Sequence, residues 1–281
     1  MEPLAEPAPD LAGLKIAAFE SRYPKAATLM RALLEPGEKI SLVTTGWRST
    51  FVDDVFLGFP TLLSNRTLVI GTERRLLLIR CGGRDLEPRG YVNEVPRSAL
   101  LAAMPVPFMS LFTTAGTIRL IGVPGPGKRS LSKDHDPDAR PKGQPRYLCP
   151  ACFVAHERYV PECWRCGTAF RAPWRAGLRS LLAPGLGDAY LGSFAVGVMT
   201  ALTAAFLWLN VIAFLHAAQS VTGSQAEAVG AAASGFLALA LGAHALAGGV
   251  SWARGFKGLI ATTAELPAQP ARVRGQWPAA R

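Results

Sequence analysis

A chain of 281 residues has room for two or three compact units, and 49% hydrophobic residues at a mean hydropathy of +0.21 is too apolar for a wholly water-soluble protein. The formal charge of +10 admits nucleic acid or an anionic membrane face as partner, and the basic residues flank apolar segments, which favours the membrane. Cysteine usage excludes a secreted disulfide scaffold, because four cysteines fall in two Cys-x-x-Cys pairs and Cys81 stands alone as an ordinary buried thiol.

Residues 1–9 are acidic and proline-rich, so a disordered lead without a cleaved signal peptide is expected. Asp10 suits an N-cap, and Leu11, Leu14, Ala18 and Phe19 fall at helical spacing towards Arg22. Pro24 then suits the first turn of a second helix with Ala27, Met30, Leu33 and Leu34 on its apolar face, ended by Pro36-Gly37. From Glu38 the pattern turns to strands. Ile40, Leu42 and Val43 open the first, running towards Trp47. The run from Asn65 to Arg80 reads as two apolar strands about a polar turn at Gly71 to Arg74, and Met109 to Thr114 with Thr117 to Gly122 as a hairpin around Ala115-Gly116. Pro96 to Ala103 is expected as one short helix.

The hairpin Asn-Arg-Thr-Leu-Val-Ile-Gly-Thr-Glu-Arg-Arg-Leu-Leu-Leu-Ile (Asn65 to Ile79) and Tyr-Val-Asn-Glu-Val-Pro-Arg-Ser-Ala-Leu (Tyr91 to Leu100) resemble the bacterial PH-like domains, small antiparallel barrels related to the PH and GRAM folds. The resemblance implies a barrel plugged by a helix after its last strand. Here that strand runs into Val123-Pro-Gly-Pro-Gly-Lys-Arg, where no helix is expected to follow directly. Either the N-terminal helices do the capping or the barrel is incomplete. Gly122 to Lys128 also matches the start of a phosphate-binding loop. Arg129 stands where Ser or Thr would hold Mg²⁺, however, and two prolines remove backbone donors, so a turn and a linker are expected.

Cys149-Pro-Ala-Cys152 and Cys163-Trp-Arg-Cys166-Gly-Thr place four thiolates at the corners of a tetrahedron, the coordination of a structural zinc ion. In spacing, and in Gly167 after the second pair, the segment resembles a zinc ribbon. A closed four-sulfur site leaves no position for water or substrate, so no catalytic residue is assigned and an enzyme is not expected. His156 is expected as a solvated loop residue. Arg158, Trp164, Arg165 and Arg171 would give a small basic, aromatic surface, but Glu157 and Glu162 interrupt it and nucleic acid is not the expected partner.

Phe194 to His216 and Ala228 to Val250 carry no charge and are long enough to cross a bilayer. Arg171, Arg175 and Arg179 precede the first span, Arg254 and Lys257 follow the second, and the intervening 217–227 holds no Lys or Arg, which places both ends in the cytoplasm. Before the first span, Pro184-Gly-Leu-Gly-Asp-Ala-Tyr-Leu-Gly192 resembles the PGLGQxYLG signature of small bacterial two-helix membrane domains often joined to a zinc ribbon, with Asp188 in place of Gln. Asp188 is expected to cap the coming helix, with an ion or proton site as the alternative. Ala228, Ala231, Gly235, Ala238, Gly242, Ala245 and Gly249 form a stripe of small residues, for the first span or for a second copy of the protein in a homo-oligomer. His244 is expected near the depth of Thr200, hydrogen-bonded to a helix neighbour.

The expected architecture is therefore an α+β multidomain chain. It comprises a tail and helices over 1–35, a PH-like antiparallel β-barrel over 36–124, a flexible linker over 125–146, a four-cysteine zinc ribbon over 147–172, a transmembrane α-helical hairpin over 173–257 (spans about 194–216 and 228–250) and a basic proline-rich tail over 258–281, with Arg272, Arg274 and Arg281 suited to anionic headgroups. The expected role is a non-catalytic binding or adaptor protein of the bacterial inner membrane, whose PH-like domain recruits a protein or lipid ligand. The alternatives are a membrane-tethered thiol-disulfide oxidoreductase using the Cys-x-x-Cys pairs, or a membrane-tethered nucleic-acid binder.

Overall fold

The computed structural model describes residues 16–49, 66–82, 85–105, 108–133 and 143–262. The expected lead over 1–9, Asp10, Leu11, Leu14, Asn65 and the tail arginines Arg272, Arg274 and Arg281 lie outside the described residues. Helices α1 (Ile16–Arg22) and α2 (Pro24–Leu33) come first, with Pro24 at the first helical position, where an N–H would have no intrahelical partner. Seven strands follow: β1 (Ile40–Ser49), β2 (Arg66–Thr72), β3 (Arg75–Gly82), β4 (Glu87–Pro96), β5 (Leu100–Met104), β6 (Met109–Thr113) and β7 (Gly116–Ile121). Two short ones, β8 (Arg146–Leu148) and β9 (Ala155–His156), complete an open antiparallel sheet of order β5-β6-β7-β1-β2-β3-β4-β8-β9.

Strand β1 turns the sheet. Its first part pairs with β2, from Ile40 opposite Thr72 to Gly46 opposite Thr67, and its end pairs with β7, Trp47 opposite Ile121 and Ser49 opposite Arg119. The two parts of the sheet share a core built from Leu42, Val69, Leu76, Leu78 and Val95 on one side and Met109, Leu111, Ile118 and Leu120 on the other. Alternate residues of the same strands, Leu68, Ile70, Leu77 and Ile79, point the other way, against Phe19, Tyr23, Met30 and Leu33 of the two helices. Strands covered on both faces need no polar alternation, which is why β2 and β3 read as unbroken apolar runs. Cys81 lies in the helix-facing core, where burial pushes its thiol up to about 12 and keeps it unreactive.

Two expectations about this region are corrected. Pro96 to Ala103 is not a helix: a short 3₁₀ turn, Arg97–Ala99, leads into β5, because Leu100 to Met104 find hydrogen-bonding partners on β6. A helix does follow β7, α3 (Gly125–Lys133), within the segment expected to be linker. Pro124 and Pro126 stand at its start, where a missing N–H costs nothing, and Lys128 N–H closes the first turn on the Pro124 carbonyl at 2.9 Å. Leu131 is wholly buried in the shared core.

The remaining helices are α4 (Pro173–Leu182), α5 (Leu186–Tyr190), α6 (Phe194–Ala218) and α7 (Ser224–Gly255). Both α6 and α7 are long and apolar enough to cross a membrane, and only 11% of the most apolar window of each is buried. Helix α4 runs antiparallel to the end of α7: Pro173 lies against Gly255, the Ser180 and Ser251 hydroxyls hydrogen-bond at 2.8 Å, and His244 reaches the Leu181 carbonyl. The chain then turns at Pro184-Gly185 and returns as α5. At Gly185 (φ +93°) a Cβ would lie 2.0 Å from the Gly197 carbonyl oxygen, so no side chain can replace its hydrogen without moving α6. Gly187 N–H, freed by the break, donates to Ser180 Oγ at 2.9 Å.

Here the sequence expectations need three corrections. Asp188 does not cap α6, whose start has no side-chain cap; it is buried and takes Arg254 Nη1 on Oδ1 at 2.5 Å. His244 is hydrogen-bonded to its helix neighbours as expected, but at the depth of Trp208 and not of Thr200: Trp208 Nε1–H donates to His244 Nε2 at 3.0 Å, leaving Nδ1 to donate to the Leu181 carbonyl at 2.8 Å, one of the last carbonyls of α4. The small-residue stripe of α7 does not meet α6, since Ala228, Ala231, Gly235, Ala238, Gly242, Ala245 and Gly249 are all exposed, whereas Ala233, Ala240 and Ala247 are buried.

A buried ion network ties α2 to the sheet. Arg75 on β3 grips both oxygens of Glu38 at 2.9 and 2.7 Å, donates to the Leu33 carbonyl at 3.0 Å and lies 3.4 Å from Glu94, which also takes Arg146 of β8 at 2.5 Å. Burial would raise the Glu38 carboxyl, but Arg75, the Thr72 hydroxyl and the Glu35 N–H outweigh it and hold it down at about 2, against 4.5 for the ordinary group. A depressed carboxylate contributes fully above pH 4.5 and loses its contribution as pH falls towards 2. Glu38→Gln is therefore expected to cost on the order of 2 kcal/mol near neutrality, and the gap from wild type to close in acid, in unfolding curves recorded across pH. Gly185→Ala is expected to destabilise the helical part by several kcal/mol, while Gly230→Ala, with open space around it, leaves the unfolding temperature within a degree or so.

Candidate metal centre

Beyond β8, two similar knuckles face one another. Cys149-Pro-Ala-Cys152-Phe-Val-Ala-His156 and Cys163-Trp-Arg-Cys166-Gly-Thr-Ala-Phe170 repeat the same turn: Cys149 N–H bonds the Val154 carbonyl as Cys163 N–H bonds that of Thr168, both at 2.9 Å. Phe153 N–H returns to the Cys149 carbonyl at 2.8 Å, as Gly167 N–H does to that of Cys163 at 2.9 Å. Both turns need a left-handed residue after the second cysteine. Gly167 (φ +69°) fills that place at no cost, whereas Phe153 (φ +57°) accepts it and packs its ring against the helix-facing core.

The knuckles bring Cys149, Cys152, Cys163 and Cys166 together, their sulfurs all within 4.8 Å of one another. Cys149 and Cys166 sulfurs are 3.6 Å apart, as are those of Cys152 and Cys163, and all four thiols are free. A tetrahedron of sulfurs at about 2.3 Å from a central ion has edges of about 3.8 Å, so the donor set is compatible with a metal site. Backbone N–H groups of Ala151 and Cys152 point at the Cys149 sulfur and that of Val154 at Cys152. Burial nevertheless pushes both thiols up, Cys149 to about 11. Exposed Cys166 is also raised by what burial it has, but the Thr168 hydroxyl and N–H and the neighbouring thiols outweigh this and bring it down to about 7.

His156, expected in solvent, is buried: it occupies the place in the first knuckle that Phe170 holds in the second, and the two rings meet edge to face at 6.3 Å. Burial lowers its imidazole pKa, and it is not part of the sulfur cluster. Nor do Arg158, Trp164, Arg165 and Arg171 share one open surface. Trp164 is 76% exposed at the tip of the second knuckle, but Arg171 turns towards α5, where it donates to the Tyr190 carbonyl.

The chain leaving α7 supplies residues that spacing alone does not reveal. Leu259 is buried with Cys149, Cys163 and Phe170, Arg171 N–H donates to the Ile260 carbonyl at 2.8 Å, and Thr262 N–H to that of Ala169 at 3.0 Å. Alternating Leu259-Ile260 after a polar turn is the signal of this short extended stretch, weak beside the cysteines.

Gly167→Ala is expected to cost roughly 1 kcal/mol in the metal-loaded protein through its left-handed backbone, read as a lower chelator concentration for half-release of the metal. Comparison with known proteins finds no matching family model, no similar curated protein and no similar solved structure.

Proposed function

We propose that the chain is a non-enzymatic binding or adaptor protein of the bacterial inner membrane, with α6 and α7 crossing the bilayer and a PH-like β unit and zinc ribbon held on the cytoplasmic side. The observation that carries this reading is the inverted surface of the helices. Phe206, Leu209, Ile212 and Leu215 on α6 and Leu237, Leu239, Leu241 and Leu246 on α7 face outward, while the buried residues of the two helices are mostly small, such as Ala204, Ala233 and Ala240, with Val211 and the stacked Phe214 and Phe236 among the larger groups between them. Exposed apolar surface on that scale is stable in lipid and a liability in water.

The PH-like assignment is supported by the antiparallel run β5-β6-β7-β1-β2-β3-β4 followed by α3, whose Leu131 enters the core as the plugging helix of the resembling family would. Zinc is supported by the all-sulfur donor set and by two Cys-x-x-Cys turns in a segment with little core of its own. The cytoplasmic placement rests on the basic residues that gather where the sheet, ribbon and helix ends meet, and that compartment favours thiolate ligands over disulfides. The PH-like unit then presents a protein or lipid ligand to other components of the membrane, and the exposed small-residue stripe leaves room for a second copy of the chain.

Carbonate extraction of membranes containing the full chain is expected to leave it in the pellet; its release to the soluble fraction would remove the reading. Protein purified from those membranes is expected to hold one zinc per chain with all four centre thiols shielded from alkylation until a chelator is added. Thiols that cycle with added reductant in the absence of metal would favour the oxidoreductase instead.

A further inference from the structure

Helix α4 carries its charge beside exposed apolar surface. Arg175 and Arg179 are i, i+4 neighbours on it, both exposed, and Arg171 stands just ahead of it. The Arg179 guanidinium lies 4.1 Å and that of Arg171 5.6 Å from the centre of the Tyr190 ring, so two cations share one aromatic ring, while Arg175 lies 5.2 Å from the ring centre of Trp174. Among the described residues none of these three arginines forms a salt bridge, whereas exposed Arg31, Arg74 and Arg89 each do. The carboxylate nearest in the chain to Tyr190, Asp188, is taken by Arg254. The Arg171 and Arg179 guanidinium groups at the Tyr190 ring repel one another, Arg175 adds a third charge one helical turn from Arg179, and an anion among them would offset that repulsion.

The same helix exposes Trp174, Leu178, Leu181 and Leu182, at 57%, 48%, 46% and 73%. Its buried face is instead small: Gly177 and Ser180 lie on α7 and Ala176 against α5. A soluble anion needs no apolar surface beside it; a phospholipid supplies a phosphate and acyl chains together.

We propose that Arg171, Arg175 and Arg179, with Trp174 and Tyr190 between them, hold the phosphate of an anionic phospholipid in the leaflet nearest the sheet, its acyl chains lying along Leu178, Leu181 and Leu182. The site rests on the reading of α6 and α7 as a membrane hairpin and adds to it a headgroup preference. Arg171 fixes the geometry, because it also holds the Tyr190 carbonyl, and the two exposed arginines supply the discriminating charge.

The test uses the full chain in neutral detergent, titrated in parallel with phosphatidylglycerol, phosphatidylcholine and inorganic phosphate. Lipids retained are counted by native mass spectrometry, and the unfolding temperature is followed. Phosphatidylglycerol is expected to bind more tightly than phosphatidylcholine by roughly fivefold for each exposed arginine, Arg175→Gln to remove one such factor, and Arg175→Gln with Arg179→Gln to remove the preference. Arg158→Gln with Arg165→Gln, on the ribbon, is expected to keep it. Should the double variant unfold in lipid-free detergent, Arg175→Gln, whose ring contact is with Trp174 and not with Tyr190, decides the matter. Equal retention of the two lipids by wild type, a preference undiminished in Arg175→Gln, or equal stabilisation by inorganic phosphate each overturns the site. Carbonate extraction separates the two levels: a membrane-retained chain without headgroup preference rejects this site alone, while a chain released by carbonate rejects the hairpin as well.

Discussion

The short peptide between the end of α7 and Thr262 is the constraint on which the arrangement of the molecule depends. Its Lys257 carbonyl accepts Arg48 of β1 at 2.5 Å and Asn93 of β4 at 2.6 Å, its Phe256 carbonyl accepts the Tyr147 hydroxyl of β8 at 3.1 Å, and the Lys257 ammonium returns to the Arg48 carbonyl at 3.1 Å. A Cβ on Gly258 would meet the Tyr91 side chain at 2.2 Å, so the peptide lies directly on the sheet. A few residues further, Leu259 enters the sulfur-lined core and Ala261 bridges to Phe170. Helices, sheet and ribbon are thus fastened by one strip of backbone whose polar groups are satisfied by all three.

Charge completes the same joint at a cost in desolvation. Arg80 leaves β3 to donate to the Leu191 carbonyl at 2.8 Å and to Ser193 Oγ at 2.9 Å, and burial lowers its pKa. The Asp188 and Arg254 pair lies close by, and removing such a pair from water costs several kcal/mol per ion before the attraction between them is counted. An apolar joint of equal size would hold as firmly but slide more freely. Directed donors to named carbonyls fix the angle at which the sheet meets the helices.

Much of this was legible in the sequence because it depends on local rules. The turn at Glu73-Arg74 and the hairpin at Thr114-Ala115 follow from polar residues between apolar runs, and the two cysteine pairs define their own knuckles. Pro124 and Pro126 misled, because proline forbids a helix interior and suits a helix start, and only Leu131 meeting the core decides between them. Long-range facts were not legible. Which residue faces His244 depends on the rotation of two helices about their axes, and the partner of Asp188 lies on a helix that the loop signature does not contain. Composition likewise could not tell that the stripe of small residues on α7 points outward, since close approach is achieved instead where Gly248 of α7 meets Gly177 of α4.

Strand β8 joins the cysteine knuckles to the main sheet, with Val92 opposite Leu148 and Glu94 opposite Arg146. The sulfur cluster therefore guards a seam as well as shaping its own loops. With those sulfurs no longer held together, that corner would peel away and leave the rim of β4 with bare amides and carbonyls, a template for any passing strand. Opening the cluster would then yield a chain prone to clumping, one that cellular proteases would have reason to clear.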